Sequence, residues 1–208
     1  MGRFIRFLSP LYLFAAAISW PFVKVGFRLR ARGIDKLPGR GFVLAANHTS
    51  NFDPWPLGLP LFPRRQLYFM AKSELFNPIF KPILLGGGAF PVRRGKADVD
   101  AIRTAVELVQ DGKIVVMFPE GTRRKKGLRK RYGARPHSGA ARIALSANVP
   151  LVPAAIKGTD RLTRLGPLRV AYGSPIPLDD LRENEFAPAA REATERLMTA
   201  IAELEASL

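Results

Sequence analysis

The chain has no cysteine, and among its 208 residues only two histidines, His48 and His137. Without thiols it forms no disulfide, no thiolate nucleophile and no thiolate metal site, and the absence fits a reducing compartment. The two histidines lie far apart in sequence and no H-E-x-x-H pattern exists, so no metal is implied. Acidic charge is scarce as well. Lys and Arg number 33 against 17 Asp and Glu, a formal charge of +16, which points to phosphate-bearing partners: nucleic acid, an anionic membrane or a phosphorylated substrate. Charge alone does not choose among them. Also missing is an apolar run of full bilayer length. The nearest, Phe7 to Val23, holds roughly 17 uncharged residues, about 25 Å of helix against an apolar thickness of about 30 Å, and Pro10 and Pro21 are expected to break or bend it.

Basic residues flank that run on both sides: Arg3 and Arg6 before it, Lys24, Arg28, Arg30 and Arg32 after it. If positive flanks stay cytoplasmic, both ends lie on one side, so the expectation is a segment that dips into one leaflet. A cleaved signal peptide is the competing reading, since Ala15-Ala16-Ala17 could end one, but dense positive charge just downstream disfavours export. Arg6, where Ser or Thr is wanted, argues against myristoylation. Residues 1–33 are therefore read as a membrane-associating helical segment and 34–208 as one domain, long enough to bury its own core.

From Gly41 onward strand-like and helix-like pieces alternate. Strands are expected at Phe42 to Ala46, Leu67 to Ala71, Phe90 to Val92, Ile114 to Phe118, Leu151 to Ile156 and Leu168 to Tyr172. Helices are expected over Asp53 to Leu61, over Ile79 to Leu85 with Gly86-Gly87-Gly88 ending it, and from the cap Asp98 to Gly112. The third of these should carry an apolar stripe of Val99, Ile102, Val106 and Val109. Two more begin near Ser138 and Pro188, the last with the stripe Leu197, Ile201, Leu204 and Leu208. The alternation predicts an α/β fold: a single domain with a central, mostly parallel mixed sheet flanked by helices, carrying its functional loops at strand ends.

Four residues separate His48 from Asp53 in Asn47-His48-Thr49-Ser50-Asn51-Phe52-Asp53-Pro54. On a continuous helix that spacing turns the two side chains roughly 140° apart, so they meet only across a turn. Ser50, Asn51 and Asp53-Pro54 favour a turn followed by a helix start. In that geometry the carboxylate orients one imidazole nitrogen and leaves the other as a base. The competing reading is an ordinary helix N-cap at Asp53 beside a polar strand-end histidine. Pro119-Glu120-Gly121-Thr122-Arg123-Arg124 follows the strand at Ile114, and its hydroxyl and guanidinium groups suit a phosphate. Glu120 in such a site must pair with an arginine or accept from a substrate hydroxyl. A second cationic loop closes at Arg93 and Arg94. The basic run from Arg123 to Arg135 is either a solvated loop or a contact for anionic lipid headgroups or other phosphates. His137 is read as a structural or surface residue, Trp20 and Trp55 as interfacial anchors or, for Trp55, core.

These motifs resemble those of the glycerolipid acyltransferases, and in particular the lysophosphatidic acid acyltransferases. The family's His, four residues, Asp is matched by His48 and Asp53. Its Gly followed by Phe-Pro-Val-Asp-Arg is similar to Gly88 to Arg94, with Arg93 standing where many members carry Asp. Its Phe-Pro-Glu-Gly-Thr-Arg is matched unchanged by Phe118 to Arg123, and its apolar fourth motif is similar to Val149 to Pro153. The resemblance covers Asn47 to about Ile156. It implies transfer of a fatty acyl group from acyl-CoA or acyl carrier protein to the sn-2 hydroxyl of 1-acyl-glycerol 3-phosphate, with His48 and Asp53 catalytic. Arg93, Arg94, Glu120, Gly121, Thr122 and Arg123 would hold the glycerol phosphate. It further implies no metal and no cofactor, N-terminal membrane-attaching helices, and a monotopic or peripheral place on the cytoplasmic face of the cell membrane, against anionic lipids. No nucleic acid partner is expected. Another acceptor, such as glycerol 3-phosphate or a different lysophospholipid or glycolipid, and a non-catalytic basic module that binds membrane or RNA, are the alternatives.

Overall fold

The computed structural model describes residues 9–93, 98–120 and 136–208. Their strands are β1 (Arg30–Arg32), β2 (Phe42–Ala46), β3 (Leu67–Lys72), β4 (Ala89–Val92), β5 (Ile114–Met117), β6 (Leu151–Lys157) and β7 (Arg169–Tyr172). The helices are α1 (Pro10–Gly26), α2 (Pro54–Gly58), α3 (Lys81–Gly86), α4 (Val99–Gln110), α5 (Gly139–Ala147) and α6 (Phe186–Ala206). One seven-stranded sheet runs in the order β1-β7-β6-β2-β5-β3-β4. Every neighbouring pair is parallel except β6 with β7. The expected α/β architecture, a mostly parallel mixed sheet between helices, is therefore what the chain adopts.

Both faces of the sheet are covered, which explains why β2 reads as an unbroken apolar run: all five of its residues are buried. Phe42, Leu44, Val116, Val152 and Val170 point to the side where Tyr12, Ala16 and Val23 of α1 and Leu57 of α2 pack. Val43, Ala45, Val115 and Leu151 point to the other, against α4, α5 and α6. Alanines dominate this second interface, among them Ala105, Ala140, Ala144, Ala189 and Ala193.

Four local details differ from the sequence expectation. Helix α1 starts with Pro10 in its first turn, where a missing N–H costs nothing, and continues through Pro21. Strand β1 lies within residues 1–33, yet pairs with β7 at the sheet edge; two arginines in three residues leave no alternation to read. Helix α3 starts at Lys81 instead of Ile79, because the Asn77 side chain accepts from the N–H groups of Ile79 (3.1 Å) and Phe80 (3.0 Å) and holds a turn there. In α4 the fully buried stripe is Ala101, Ala105 and Val109, while Val99 faces solvent. Asp98 does cap that helix, accepting from the N–H of Ala101 at 3.2 Å.

Helix α1 is fastened to the domain through Tyr12, whose hydroxyl lies 3.4 Å from the Arg65 carbonyl and 3.5 Å from that of Gly58. Its ring meets Trp55 edge-on. Burial pushes the Tyr12 hydroxyl up to about 12, so it stays protonated as a donor. Among the described residues no helix is long and apolar enough to cross a membrane.

The turn from α3 into β4 rests on Gly88, which has φ +90°, and a Cβ there would lie 2.2 Å from the Leu67 carbonyl oxygen. Gly88→Ala is expected to cost about 1–3 kcal/mol through strain and overlap. Each kcal/mol corresponds to a fall of about 2–4 °C in Tm at this chain length, and thermal unfolding at an unchanged Tm would contradict the assignment.

Candidate active site

Strands β6, β2, β5, β3 and β4 all run in one direction, so their carboxyl ends form one edge of the sheet. In open α/β folds that edge is where loops gather into sites. Strand β2 ends at Ala46, and the buried Asn47 side chain extends the ladder by one rung. Its Nδ2 donates to the Ile156 carbonyl (2.9 Å) and its Oδ1 accepts from the Ile156 N–H (2.8 Å). The loop that follows therefore leaves the sheet in a fixed direction.

That loop turns at once. The N–H of Asp53 donates to the Ser50 carbonyl at 3.2 Å, and Pro54 opens α2. Asp53 occupies the N-cap position, yet its side chain caps nothing. Instead the carboxylate points back into the turn. Its Oδ2 accepts from the N–H of Thr49 (2.7 Å), from the N–H of Ser50 (2.9 Å) and from His48 Nδ1 (2.8 Å). The side chain of Asp53 is 0% exposed, so these donors replace the water it has lost. The arrangement answers the choice left open by the sequence: His48 and Asp53 meet, and the N-cap reading does not hold.

A carboxylate oxygen only accepts, so Nδ1 of His48 carries the hydrogen and Nε2 presents a lone pair. Nε2 has no hydrogen-bond partner among the described residues, and the side chain retains 13% exposure. The ring stacks on Phe118 with centroids 4.1 Å apart and planes 19° from parallel. Phe118 leaves the end of β5, next to β2, so the aromatic residue that opens the Pro119-Glu120 motif forms one wall of the imidazole slot.

Two hydroxyls that sequence reasoning missed join this turn. Thr49 Oγ1 and Thr159 Oγ1 are 2.7 Å apart, and Thr49 Oγ1 lies 3.5 Å from Asp53 Oδ1. Thr159, 3% exposed, opens the 3-10 turn after β6. They are 110 residues apart in sequence. The one signal available was that each follows an apolar strand by two or three residues; only the parallel pairing of β2 with β6 makes them neighbours.

Of the two cationic loops, the described residues Arg93 and Glu120 follow strands that end on this edge, at different distances from His48. Glu120 is partly buried in the turn after β5, and the Pro119 carbonyl accepts from the N–H of His137 at 2.7 Å. The chain thus leaves and rejoins the edge at one point, beside Phe118. His137 is exposed, as expected. Arg94, Gly121, Thr122 and Arg123, and the basic run to Arg135, lie outside the described residues. Arg93 is 69% exposed, with its guanidinium 3.6 Å from the carboxylates of both Asp98 and Asp100. Its backbone N–H donates to Asp98 at 2.7 Å; that bond, and then the Ala101 N–H, hold the Asp98 carboxyl below the usual carboxylate range. The structure therefore turns Arg93 toward the start of α4. Strand β4 lies three strand spacings from β2, about 14 Å, so Arg93 and His48 are not brought together.

Known proteins resemble this chain in sequence and in fold. The acyltransferase family model matches residues 28–157. The 1-acyl-sn-glycerol-3-phosphate acyltransferase of Bacillus subtilis (strain 168) is 34% identical over 172 residues, 81% of this chain and 83% of that protein. The protein of the same name from Streptococcus pneumoniae is 30% identical over 156 residues, and the aligned part spans 72% of this chain but only 56% of that relative. The crystal structure of the 1-acyl-sn-glycerophosphate (LPA) acyltransferase PlsC from Thermotoga maritima superimposes with a TM-score of 0.66, covering 97% of this chain and 84% of that one. At 24% identity that likeness is one of fold. Since the family match runs from before β1 to the end of β6, and so takes in the His48 turn, Phe118 and Thr49, the chain belongs to the acyltransferase family.

Proposed function

We propose that this enzyme moves a fatty acyl group from an acyl thioester to the sn-2 hydroxyl of a 1-acyl-glycerol 3-phosphate, giving phosphatidic acid. The observation that carries the reading is the 2.8 Å contact of His48 Nδ1 with the sealed Asp53 carboxylate, which leaves Nε2 as the available base. The names of the aligned relatives supply the acceptor class. In the reaction, His48 Nε2 takes the proton from the acceptor hydroxyl as its oxygen attacks the thioester carbonyl carbon. The tetrahedral intermediate collapses, the carbon–sulfur bond breaks, and the leaving thiolate recovers the proton from Nε2. Asp53 holds the ring in place and stabilises the imidazolium between these two transfers. The donor is acyl-CoA or acyl carrier protein, and no cofactor enters the chemistry.

The acceptor's phosphate is assigned to the loops after β5 and β4, with Arg94, Glu120, Gly121, Thr122 and Arg123 as its holders and Arg93 as an outlying member. Helix α1 is assigned to the headgroup region of an anionic bilayer, on its cytoplasmic face, where a lysolipid reaches the sheet edge without leaving the membrane. The apolar side chains that α1 leaves uncovered, Phe14, Ile18, Phe22 and Val25, support that placement.

His48→Ala is expected to lower kcat for acyl transfer from oleoyl-CoA to 1-acyl-glycerol 3-phosphate by about 10²–10⁴, with the far-ultraviolet circular dichroism spectrum unchanged. Turnover within a few fold of the parent would sink the mechanism. Run in parallel, glycerol 3-phosphate and other lysophospholipids test the acceptor, and faster turnover of any of them would redirect the assignment.

Thr159→Val keeps the shape of the side chain and removes the hydroxyl that anchors Thr49. The loss of one buried hydrogen bond beside the catalytic pair is expected to reduce kcat by about three- to tenfold, with KM for either substrate little changed. Thr159→Ser should restore the rate, and a Ser variant no better than Val would show that packing, not the hydroxyl, matters at this position.

A further inference from the structure

The segment joining β3 to β4 is anomalous for a folded domain, because α3 buries none of its residues. Ile79 is 76% exposed, and Phe80, Ile83, Leu85 and Leu75 are each about half exposed or more. Natural monomers rarely leave so many large apolar side chains together in water without a use for them.

This surface is not isolated. The Ser9 N–H donates to Gln66 Oε1 (3.0 Å), and Gln66 Nε2 donates to the Gly86 carbonyl (3.0 Å), so one buried glutamine clamps the start of α1 to the end of α3. Leu11 of α1 lies so close to Gly86 that a Cβ there would come within 2.6 Å of its Cδ2. The uncovered side chains of α1 and of residues 75–85 therefore belong to two elements joined rigidly on the same side of the sheet.

We propose that residues 75–85 form a second lipid-inserting element, which together with α1 makes one docking plane for an anionic leaflet. The proposal rests on the reading that α1 sits at a membrane. Charge favours lipid over a second copy of the chain. Lys81 is the single charged residue of 75–86 and Lys24 the single one of 9–27, and both are exposed, with Arg28 and Lys72 beyond them. An apolar centre rimmed by cations matches acyl chains beneath phosphates. In a symmetric dimer through this face the cations would meet their own kind, with Glu74 the only carboxylate of 72–86 to offset them. Two attachment elements instead of one also remove the freedom of the domain to swivel about α1, which holds the carboxyl edge of the sheet at a fixed tilt to the bilayer.

The absence of cysteine makes single-site labelling clean. Ile79→Cys carrying an environment-sensitive fluorophore is expected to shift to the blue on addition of phosphatidylcholine vesicles containing phosphatidylglycerol. The same label at Thr199→Cys on α6, across the sheet, should not respond. In vesicle sedimentation, the double variant Ile79→Ser/Ile83→Ser is expected to weaken partitioning by about tenfold or more, and Phe14→Ser/Ile18→Ser should do likewise. If only the α1 variant loses binding and the Ile79 label stays unshifted, residues 75–85 are not a lipid element, while the membrane reading of α1 survives. If neither variant loses binding, both readings fall. A blue shift that grows with protein concentration in the absence of vesicles, together with a dimeric mass by light scattering, would give the surface to a second copy and overturn the proposal.

Discussion

One carboxylate oxygen organises the site. Asp53 Oδ2 accepts from two successive backbone N–H groups and from the imidazole, so the bond that shapes the turn is made by the atom that orients the base. The sharing has an energetic reason. A carboxylate at 0% exposure is costly unless donors surround it, and the turn of Thr49 and Ser50 supplies two that cannot leave without unfolding the loop. The imidazole is then a third donor to an anion already held in place, not the sole partner of a mobile side chain. Geometry at His48 is consequently set by backbone, which is the stiffer scaffold.

The sheet supplies what the turn cannot. Asn47 ties the end of β2 to Ile156 in β6, Phe118 arrives from β5 on the opposite flank, and Thr159 arrives from beyond β6. Three neighbouring parallel strands thus converge on the six-residue turn from His48 to Asp53. Parallel pairing is needed for this, because it alone puts three carboxyl ends side by side. The antiparallel β7 and the edge strand β1 lie outside that cluster and widen the sheet where α1 joins it: Leu168 N–H donates to the Phe27 carbonyl at 2.9 Å, and Arg30 N–H to that of Leu168 at 3.1 Å.

Much of this was legible because local chemistry and tertiary structure agree. Strands buried on both faces announce themselves as apolar runs, as at Phe42 to Ala46 and Ile114 to Phe118, and Asp98 and Gly112 bracket α4 as a cap and a stop should. The His48–Asp53 contact was one of two readings of the spacing and turn formers, and the company of the other motifs favoured it over an N-cap. What stayed hidden depended on partners distant in sequence. Strand β1 exists because β7 offers it an edge, not because Arg30-Ala31-Arg32 favours extension. The stripe of α4 is built on Ala101 and Ala105 because α5 approaches closely, while the larger Val99 is left in solvent; hydrophobicity ranked the residues in the wrong order because it ignored size. Thr49 and Thr159 look like ordinary loop hydroxyls until the β2–β6 register is known.

The two sides of the sheet are finished differently, and that difference bears on how a lipid enzyme works. On one side α4, α5 and α6 close over the strands through alanines, and the amphipathic α6 buries Leu197 and Ile201 beneath a charged outer face. On the other side α1 and α3 give their inner residues, or none, to the core and leave bulky apolar groups outward. The described residues therefore complete a polar solvent boundary on one side only. An apolar boundary completed by lipid would bring a lysolipid to the sheet from one side, while the opposite face stays wetted. His48 sits at the edge between them, its Nε2 open and its ring walled by Phe118. With α1 placed at the headgroups as proposed, a base there would meet an acceptor hydroxyl at the depth of a headgroup, where phosphate is still hydrated and the acyl chain is not. That is the depth at which cationic loops are most useful, since a guanidinium needs to displace only part of a phosphate's hydration shell to hold it.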